Sequence, residues 1–512
     1  MKAQDYQISA DKFKFHSVGA TIHDQKLETK PVTYLRDAFN RFAKNKGSIV
    51  AFFVIVILVL FAVLGPVLSP YTVSYSDKYY ELARPKSQLM YKLGIPFWDG
   101  GRKKEANAFD LARYLAIEEE TGDVLIMSEP KEEVIVMGKN SKTVYTFRLD
   151  TYNAVGVQFK LLSDEEYQAL QKYQDENNVQ IILPLADESL RQLPMQDKTD
   201  ANFWYKTEVV NGKTSIVYDD EGNLIPVYRA DDGTDNYTSK MLIEGDQKQY
   251  TYAELKQGRW NVRVHYKEYY KFIHDSAGDR YSAASHLFGA DQDGRDIFTR
   301  LSSGARFSFF LAVVVSSVNL FVGAIYGAIE GYYGGKIDLV MERIIDLLGS
   351  IPFMIVITLL KYHFHVSHVI ILFISFFLTG WTGMAGRTRM QFYRFKNQEY
   401  VLVAKTLGAR DRRVMFKHIF PNAIGTLITG SVLVIPGVIF SETSLSYLGI
   451  INLSGDKMTS VGTLLSTGQA YLFTDPHMIL FPALFISLLE LSFNLFGNGL
   501  RDAFNPSLRG TE

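Results

Sequence analysis

Three histidines, His363, His365 and His368, stand close enough together to raise the question of a metal site. His365 and His368 would share one face of a helix, yet no carboxylate lies beside them, and a solvated loop is the favoured reading. The acidic runs Glu118-Glu119-Glu120 and Asp219-Asp220 put carboxylates next to one another in strongly charged stretches. That pattern belongs to a solvated surface rather than to an acid–base pair. Gly212-Lys213-Thr214 looks like the end of a phosphate-binding loop, but such a loop needs a glycine five positions before Gly212, where Thr207 stands. With that motif absent, the chain is not expected to hydrolyse ATP. There is no cysteine, which excludes disulfides, thiolate metal sites and cysteine nucleophiles. The remaining ionisable groups of interest are Glu330, Glu342, Arg343, Asp346, Glu442 and Glu490, in or near long apolar stretches. A charge in hydrocarbon is costly and generally faces a bundle interior or an aqueous path. Glu442 and Glu490 are the most interior and are candidates for such a path or for a subunit interface. The alternative, preferred for Glu342 and Asp346, is a helix-end charge reaching the headgroups. No catalytic constellation is visible.

The elements that must position these groups are mostly membrane spans. Residues 49–68 are almost wholly apolar and long enough to cross a bilayer. The preceding YLRDAFNRFAKNK (34–46) reads as a short basic amphipathic helix, and Arg36, Arg41, Lys44 and Lys46 place the N-terminus in the cytoplasm. The apolar run starts too far from Met1, and is too long, for a cleavable signal peptide. The polar first forty or so residues are expected to be partly disordered.

Residues 73–280 contain no stretch able to span a membrane and would emerge on the outer side. They carry 35 acidic and 27 basic side chains, a net charge of −8, against +7 for the rest of the chain. The near-neutral total therefore conceals two opposed parts. The block reads as an α+β domain large enough to bury a core of its own. It should contain two strands within 123–137 interrupted by Pro130, and a helix over 163–177 opened by the Ser163/Glu166 capping box. A hairpin over 208–218 turning on Asn211-Gly212 and an aromatic-rich strand over 259–272 complete it.

Five further spans are expected at 307–330, 337–360, 367–386, 423–440 and 478–496, with Gly334 and Gly335 as a turn and Pro352 as a kink. Six crossings return the C-terminus to the cytoplasm and put the fourth-to-fifth connection inside. That connection, residues 387–422, holds nine basic residues against Glu399 and Asp411, so charge bias agrees with parity. Within it, Glu399 to Leu407 can form a short helix and Gly408 suits a helix C-terminus requiring φ > 0. Asp411 could cap a second helix, which should stop near Phe420 because Pro421 follows.

This helix–glycine–helix resembles the cytoplasmic loop of ABC-importer permeases that docks on the ATPase subunit. Tyr400, Val401, Ala404, Gly408, Ala409, His418, Pro421 and Asn422 fit the peptide-transporter version of the motif, while Leu402 and Val403 stand where Glu and Ala are usual. Glu399, one turn earlier, is a stand-in for the missing acid. HLFGADQDGRDIFTRLSSGARFS (286–308) resembles the segment before the second span of peptide permeases, on Gly289, Asp291, Gly294, Arg295, Asp296, Arg300, Gly304, Ala305 and Arg306. The plain alternative makes Asp296 and Arg300 an i,i+4 pair on an exposed helix. The tail GNGLRDAFNP resembles the end of C-type subunits of the oligopeptide/dipeptide importer family. The resemblance covers about 34–71 and 286–509 and leaves the intervening domain out.

It implies a membrane all-α fold, a six-helix type I ABC importer permease, with the α+β domain inserted extracytoplasmically between the first and second spans. The divisions would be a cytoplasmic segment 1–47, a first span 48–71, the insert 72–281 and the permease core 282–512. It further implies oligopeptide import with no enzyme activity or cofactor in this chain, ATP and Mg²⁺ being bound by partner subunits. Those partners would be a B-type permease subunit, two ATPase subunits, an extracytoplasmic peptide-binding protein and membrane lipid, without nucleic acid. The coupling residues would be Glu399, Tyr400, Ala404, Gly408, Ala409, His418, Pro421 and Asn422, with Glu442 and Glu490 as candidates for the translocation pathway. Nickel or another small solute on the same architecture is the near alternative. A membrane receptor or mechanotransmission protein acting through its outer domain is the distant one.

Overall fold

The computed structural model describes residues 34–504, apart from 94, 138–139, 211, 231–249, 280–282, 454 and 456–457. The polar start of the chain, Asn211 of the expected hairpin, Arg280 and the last residues of the tail lie outside them. The basic helix is present as α1 (Tyr34–Lys44) and turns at Asn45, whose side chain accepts from Ser48 N at 3.2 Å to cap α2 (Lys46–Leu68). α2 is apolar all round and mostly exposed within the chain, as a lipid-facing span must be.

The block that follows is an α+β arrangement. After α3 (Gln88–Lys92) come β1 (Gly101–Ala106), α4 (Ala108–Thr121), β2 (Lys131–Met137) and β3 (Asn140–Asp150), with the strands in the antiparallel order β1-β3-β2. Then follow β4 (Val157–Leu162), α5 (Asp164–Asn177), β5 (Ile182–Leu183), β6 (Thr207–Val210), β7 (Lys213–Ile216), β8 (Ala253–Lys256), β9 (Arg259–His265) and α6 (Tyr266–Ala277). β9 is the centre of a second sheet, flanked by β4 and β5 and also paired with β8, while β6 and β7 form the expected hairpin. α5 begins with the full capping box, Ser163 Oγ accepting from Glu166 N and Glu166 accepting from Ser163 N.

Three expectations for this block are corrected. Of the two strands expected within 123–137 only β2 forms, and Ile126 makes an isolated bridge to Leu149. The aromatic stretch is a strand only to His265. Tyr266, Tyr269 and Tyr270 recur at helical spacing and bury together on α6, so the 3.6-residue period wins over the alternation read from the sequence. Of the run Glu118-Glu119-Glu120 only Glu119 is a solvated surface residue. α4 turns Glu120 inward against Arg263, 2.7 Å away and fully buried, while Glu118 Oε1 accepts from Leu125 N and Ile126 N at 2.6 and 2.7 Å.

The block is rooted in the helices after it. Trp98 Nε1 donates to Leu287 O at 2.7 Å, and Phe97 meets Phe481 edge-on with centroids 6.0 Å apart. Arg84 and Arg102 approach the buried carboxylate of Asp475 at 3.6 and 3.4 Å. The Asp296–Arg300 pair does not form. Asp296 instead caps α7 (Ile297–Tyr333), accepting from Thr299 N at 2.8 Å and facing His286 Nδ1 at 3.0 Å, while Arg300 pairs with Asp291. All four are buried, because the segment packs between the block and the helix bundle instead of facing water.

Next come α8 (Gly335–Gly349), α9 (Phe353–His363), α10 (His368–Thr379) and α11 (Thr382–Phe395). The expected third span is not one kinked helix. α8 and α9 are separate and bent by 70°, with Pro352 at the break, where its ring and missing N–H end the ladder. Of the histidine trio, His368 is fixed by its Nδ1 contact to Asn452 O at 2.7 Å. α12 (Glu399–Thr406) and α13 (Asp411–Arg413) lead through a π-helical turn, Val414–Ile419, into α14 (Phe420–Val432) and α15 (Val434–Tyr447). α16 (Val461–Gln469) and α17 (His477–Phe504) close the chain. Among the described residues five helical stretches are long and apolar enough to cross a membrane, namely α2, α7, α10 with α11, α13 through α15, and α17, and the α8–α9 pair is a sixth if it counts as one crossing.

Candidate functional site

The site begins with three glycines. Gly323, Gly327 and Gly331 recur every four residues and so form one stripe along α7. α11 lies directly against it: a Cβ at Gly327 would sit 2.1 Å from Ala385 O, and one at Gly331 would sit 2.8 Å from Arg389 O. Small residues at this spacing let two helices approach backbone to backbone. The crossing leaves the C-terminal end of α7 beside the segment that follows α11.

That segment is held on a small core. Ala328 and Tyr332 of α7, Phe392 of α11, Val401 of α12, and Val414 and Ile419 of the π-helical turn are buried together. Ala404 is buried too, and Ala409 N donates to Ala404 O at 3.0 Å, closing the turn at Gly408, where φ is +82°. Only glycine takes that conformation without strain.

Two features of the expected loop are corrected. Arg410, not Asp411, occupies the N-cap position. The Asp411 carboxylate is engaged elsewhere, accepting from the Tyr332 hydroxyl at 2.6 Å. The second helix does not stop near Phe420. Pro421 lies in the first turn of α14, and the preceding turn is π-helical. A widened turn changes the hydrogen-bond register just where proline offers no N–H, so the helix passes through.

Pro421 and Asn422 are exposed, and Asn422 Nδ2 donates to His418 O at 2.8 Å and to the Tyr400 hydroxyl at 3.3 Å, joining the two helices of the loop. Burial holds the Tyr400 hydroxyl above its ordinary pKa, so it stays protonated. Glu399 is exposed in the first turn of α12. The apolar Leu402 and Val403 beside it are exposed, and Leu407 is 81% exposed. With Phe416 also exposed and lining a hollow with Arg412, Lys417 and Pro421, the loop presents grease ringed by cations.

The two interior glutamates are placed differently. Glu442 is fully buried in α15, accepting from Ser308 of α7 at 2.8 Å and from Ser446 at 3.1 Å, so it joins helices within this chain. Glu490 is half-buried on α17, and its Oε1 has no hydrogen-bond donor. The glycine stripe and the Tyr332–Asp411 link were not read from the sequence. The four-residue glycine spacing could have revealed the first, but the second joins residues 79 positions apart and leaves no local signal.

Two family models match, one described as the binding-protein-dependent transport system inner membrane component over residues 319–510, the other as the N-terminal TM domain of oligopeptide transport permease C over residues 33–85. The oligopeptide transport system permease protein OppC of Bacillus subtilis is 41% identical over 231 residues, 45% of this chain and 75% of that protein. This chain belongs to the oligopeptide and dipeptide transport permeases. The dipeptide transport system permease protein DppC of the same organism is 40% identical, over 44% of this chain and 70% of its own length. The OppC of Escherichia coli is 35% identical, over 44% and 74% respectively. The first matched stretch of this permease holds α1 and α2. The second runs from the middle of α7 to residue 510, and the loop just described lies inside it.

Proposed function

We propose that this permease is one of two pore-forming subunits of an ABC importer for oligopeptides, working with a B-type permease subunit, two ATPase subunits and an external peptide-binding protein. ATP hydrolysis resides on the partners. The observation that carries the reading is the loop at Gly408: two short helices fixed to each other through Asn422 and Tyr400, anchored to α7 through Asp411 and Tyr332, with an exposed apolar outer face. Such a face fits a groove on an ATPase, with Glu399 at its rim in place of the acid that Leu402 displaces. Because the loop rests on α7 and α11, which the glycine stripe packs backbone to backbone, ATPase closure would move those helices with it. A ligand-driven cycle of this kind needs two bundle conformations differing in partner affinity.

The test is a change at the glycine turn of the loop. In Gly408→Val a Cβ meets nothing within 4 Å, so only the φ of +82° opposes it, by about 1–2 kcal/mol. We expect the chain to assemble, peptide uptake to fall about tenfold or more, and ATP hydrolysis to lose its stimulation by loaded binding protein. Normal uptake would count against the docking role.

In this reading the N- and C-termini are cytoplasmic and the α+β block is extracytoplasmic, its net charge of −8 facing the binding protein or covering the pore entrance. The chain has no cysteine and Met195 is 90% exposed, so Met195→Cys supplies a single reporter. A membrane-impermeant maleimide should label it in intact cells; labelling only after lysis would reverse the orientation. The two interior glutamates keep distinct roles here: Glu442 holds the bundle, and Glu490 faces the neighbouring permease or the pathway.

A further inference from the structure

The turn at Gly334 and Gly335, with φ of +66° and +58°, folds α8 back beside the end of α7. This brings Glu330 of α7 together with Asp338 and Glu342, one helical turn apart on α8. Ligand oxygens of all three lie within 4.8 Å of one another. One cation serves them. Arg389 of α11 donates to both Asp338 oxygens at 2.6 and 2.9 Å and approaches Glu342 Oε2 at 3.0 Å, while Tyr393 donates to Asp338 at 2.7 Å. The Lys396 amine is directed to Gly331 O at 3.0 Å. The exposed Arg343 and Asp346 pair with each other at 2.9 Å.

Asp338 is therefore fully used, and Glu330 is not. Its side chain is 0% exposed, neither of its oxygens accepts a hydrogen bond, and the nearest cationic atom, Arg389 Nε, stands off at 3.5 Å. Three carboxylates share the one guanidinium of Arg389, and the least served of them is removed from water. An uncompensated buried charge costs several kcal/mol. Arg389 cannot turn to Glu330 without releasing Asp338, and no other described donor reaches it.

We propose that Glu330 and Glu342 bind a hard divalent cation of the Mg²⁺ type, with Asp338 remaining on Arg389. All-oxygen carboxylate ligands are those such an ion takes, and Mg²⁺ commonly binds through one or two carboxylates while keeping several waters. The half-exposed Glu342 offers the entry path. A bound ion would pin the middle of α8 to the end of α7, two residues before the Tyr332 that holds the loop. The site is independent of cargo and of the docking reading.

The experiment uses Mn²⁺ as the probe, followed by electron paramagnetic resonance on the full chain in lipid nanodiscs, without nucleotide and at pH 8. One Mn²⁺ per chain is expected, displaced by excess Mg²⁺. Glu342→Gln and Glu330→Gln should each weaken it on the order of tenfold or more, while Asp346→Asn leaves it unchanged. Wild-type protein holding no more Mn²⁺ than Glu342→Gln would overturn the proposal, as would equal loss in Asp346→Asn. Glu342 is half-exposed, so its variant keeps the test intact should Glu330→Gln fail to fold.

Discussion

Gly327→Ala should remove most folded permease from the membrane. The added Cβ would stand 2.1 Å from Ala385 O, a backbone atom that can move only if α7 and α11 separate. Neither helix can shift alone, since α7 also carries Tyr332 toward the loop and Ser308 toward Glu442. Overpacking of this kind costs about 1–3 kcal/mol where side chains can yield, and more where backbone must. The control is Gly383→Ala on α11, where a Cβ meets nothing within 4 Å; it should be neutral or mildly stabilising, since alanine is favoured over glycine within a helix. Monodisperse protein recovered per cell is the measurement. Equal yields of the two variants would show that the crossing is looser than described.

Glu120→Ala should destabilise the α+β block by about 3–5 kcal/mol, the usual cost of removing one partner of a buried ion pair. Arg263 is fully buried, and its other contacts, to Ala201 O and Pro184 O, offer no negative charge in exchange. Burial pushes the Glu120 carboxyl up, while Arg263 and the Tyr228 hydroxyl draw it back. The neighbouring Glu119→Ala, at an exposed position, should stay within about 0.5 kcal/mol. Replacing both partners, as Glu120→Leu with Arg263→Met, should recover much of the loss, because the desolvated charges leave together. Thermal unfolding of the purified chain, read from tryptophans such as Trp204, which donates to Ala116 O of α4 at 3.0 Å, separates the three cases. A Glu120→Ala transition as high as that of Glu119→Ala would mean that Arg263 finds another partner.

Neither Gly327 nor Glu120 is legible in the sequence, whereas other features are. Apolar runs such as 49–68 declare themselves, because a bilayer crossing is a local property of composition and length. The loop at Gly408 was equally legible, since a glycine at a helix end and its flanking types are local as well. The glutamate run was misread because a surface run and a buried ion pair have the same one-dimensional appearance; only the register of α4 against β9 separates them. The same holds for Tyr266 to Tyr270, where strand alternation and helical spacing overlap over a few residues.

Hydropathy and charge along the chain mark a multi-span membrane protein with a charged connection bearing a helix–glycine–helix and a large additional block, and the motifs in that connection carry the resemblance to the peptide permeases. Those features are written in hydropathy, charge and motif spacing, all short-range. Only the packing of the helices shows that Asp411 holds Tyr332 instead of capping a helix, that Glu442 joins helices, that α8 and α9 are bent apart, and that Glu330 is buried beside two other carboxylates. Each depends on which helices touch, and through what depth of glycine, and contacts between residues far apart in the chain leave no periodic trace in it.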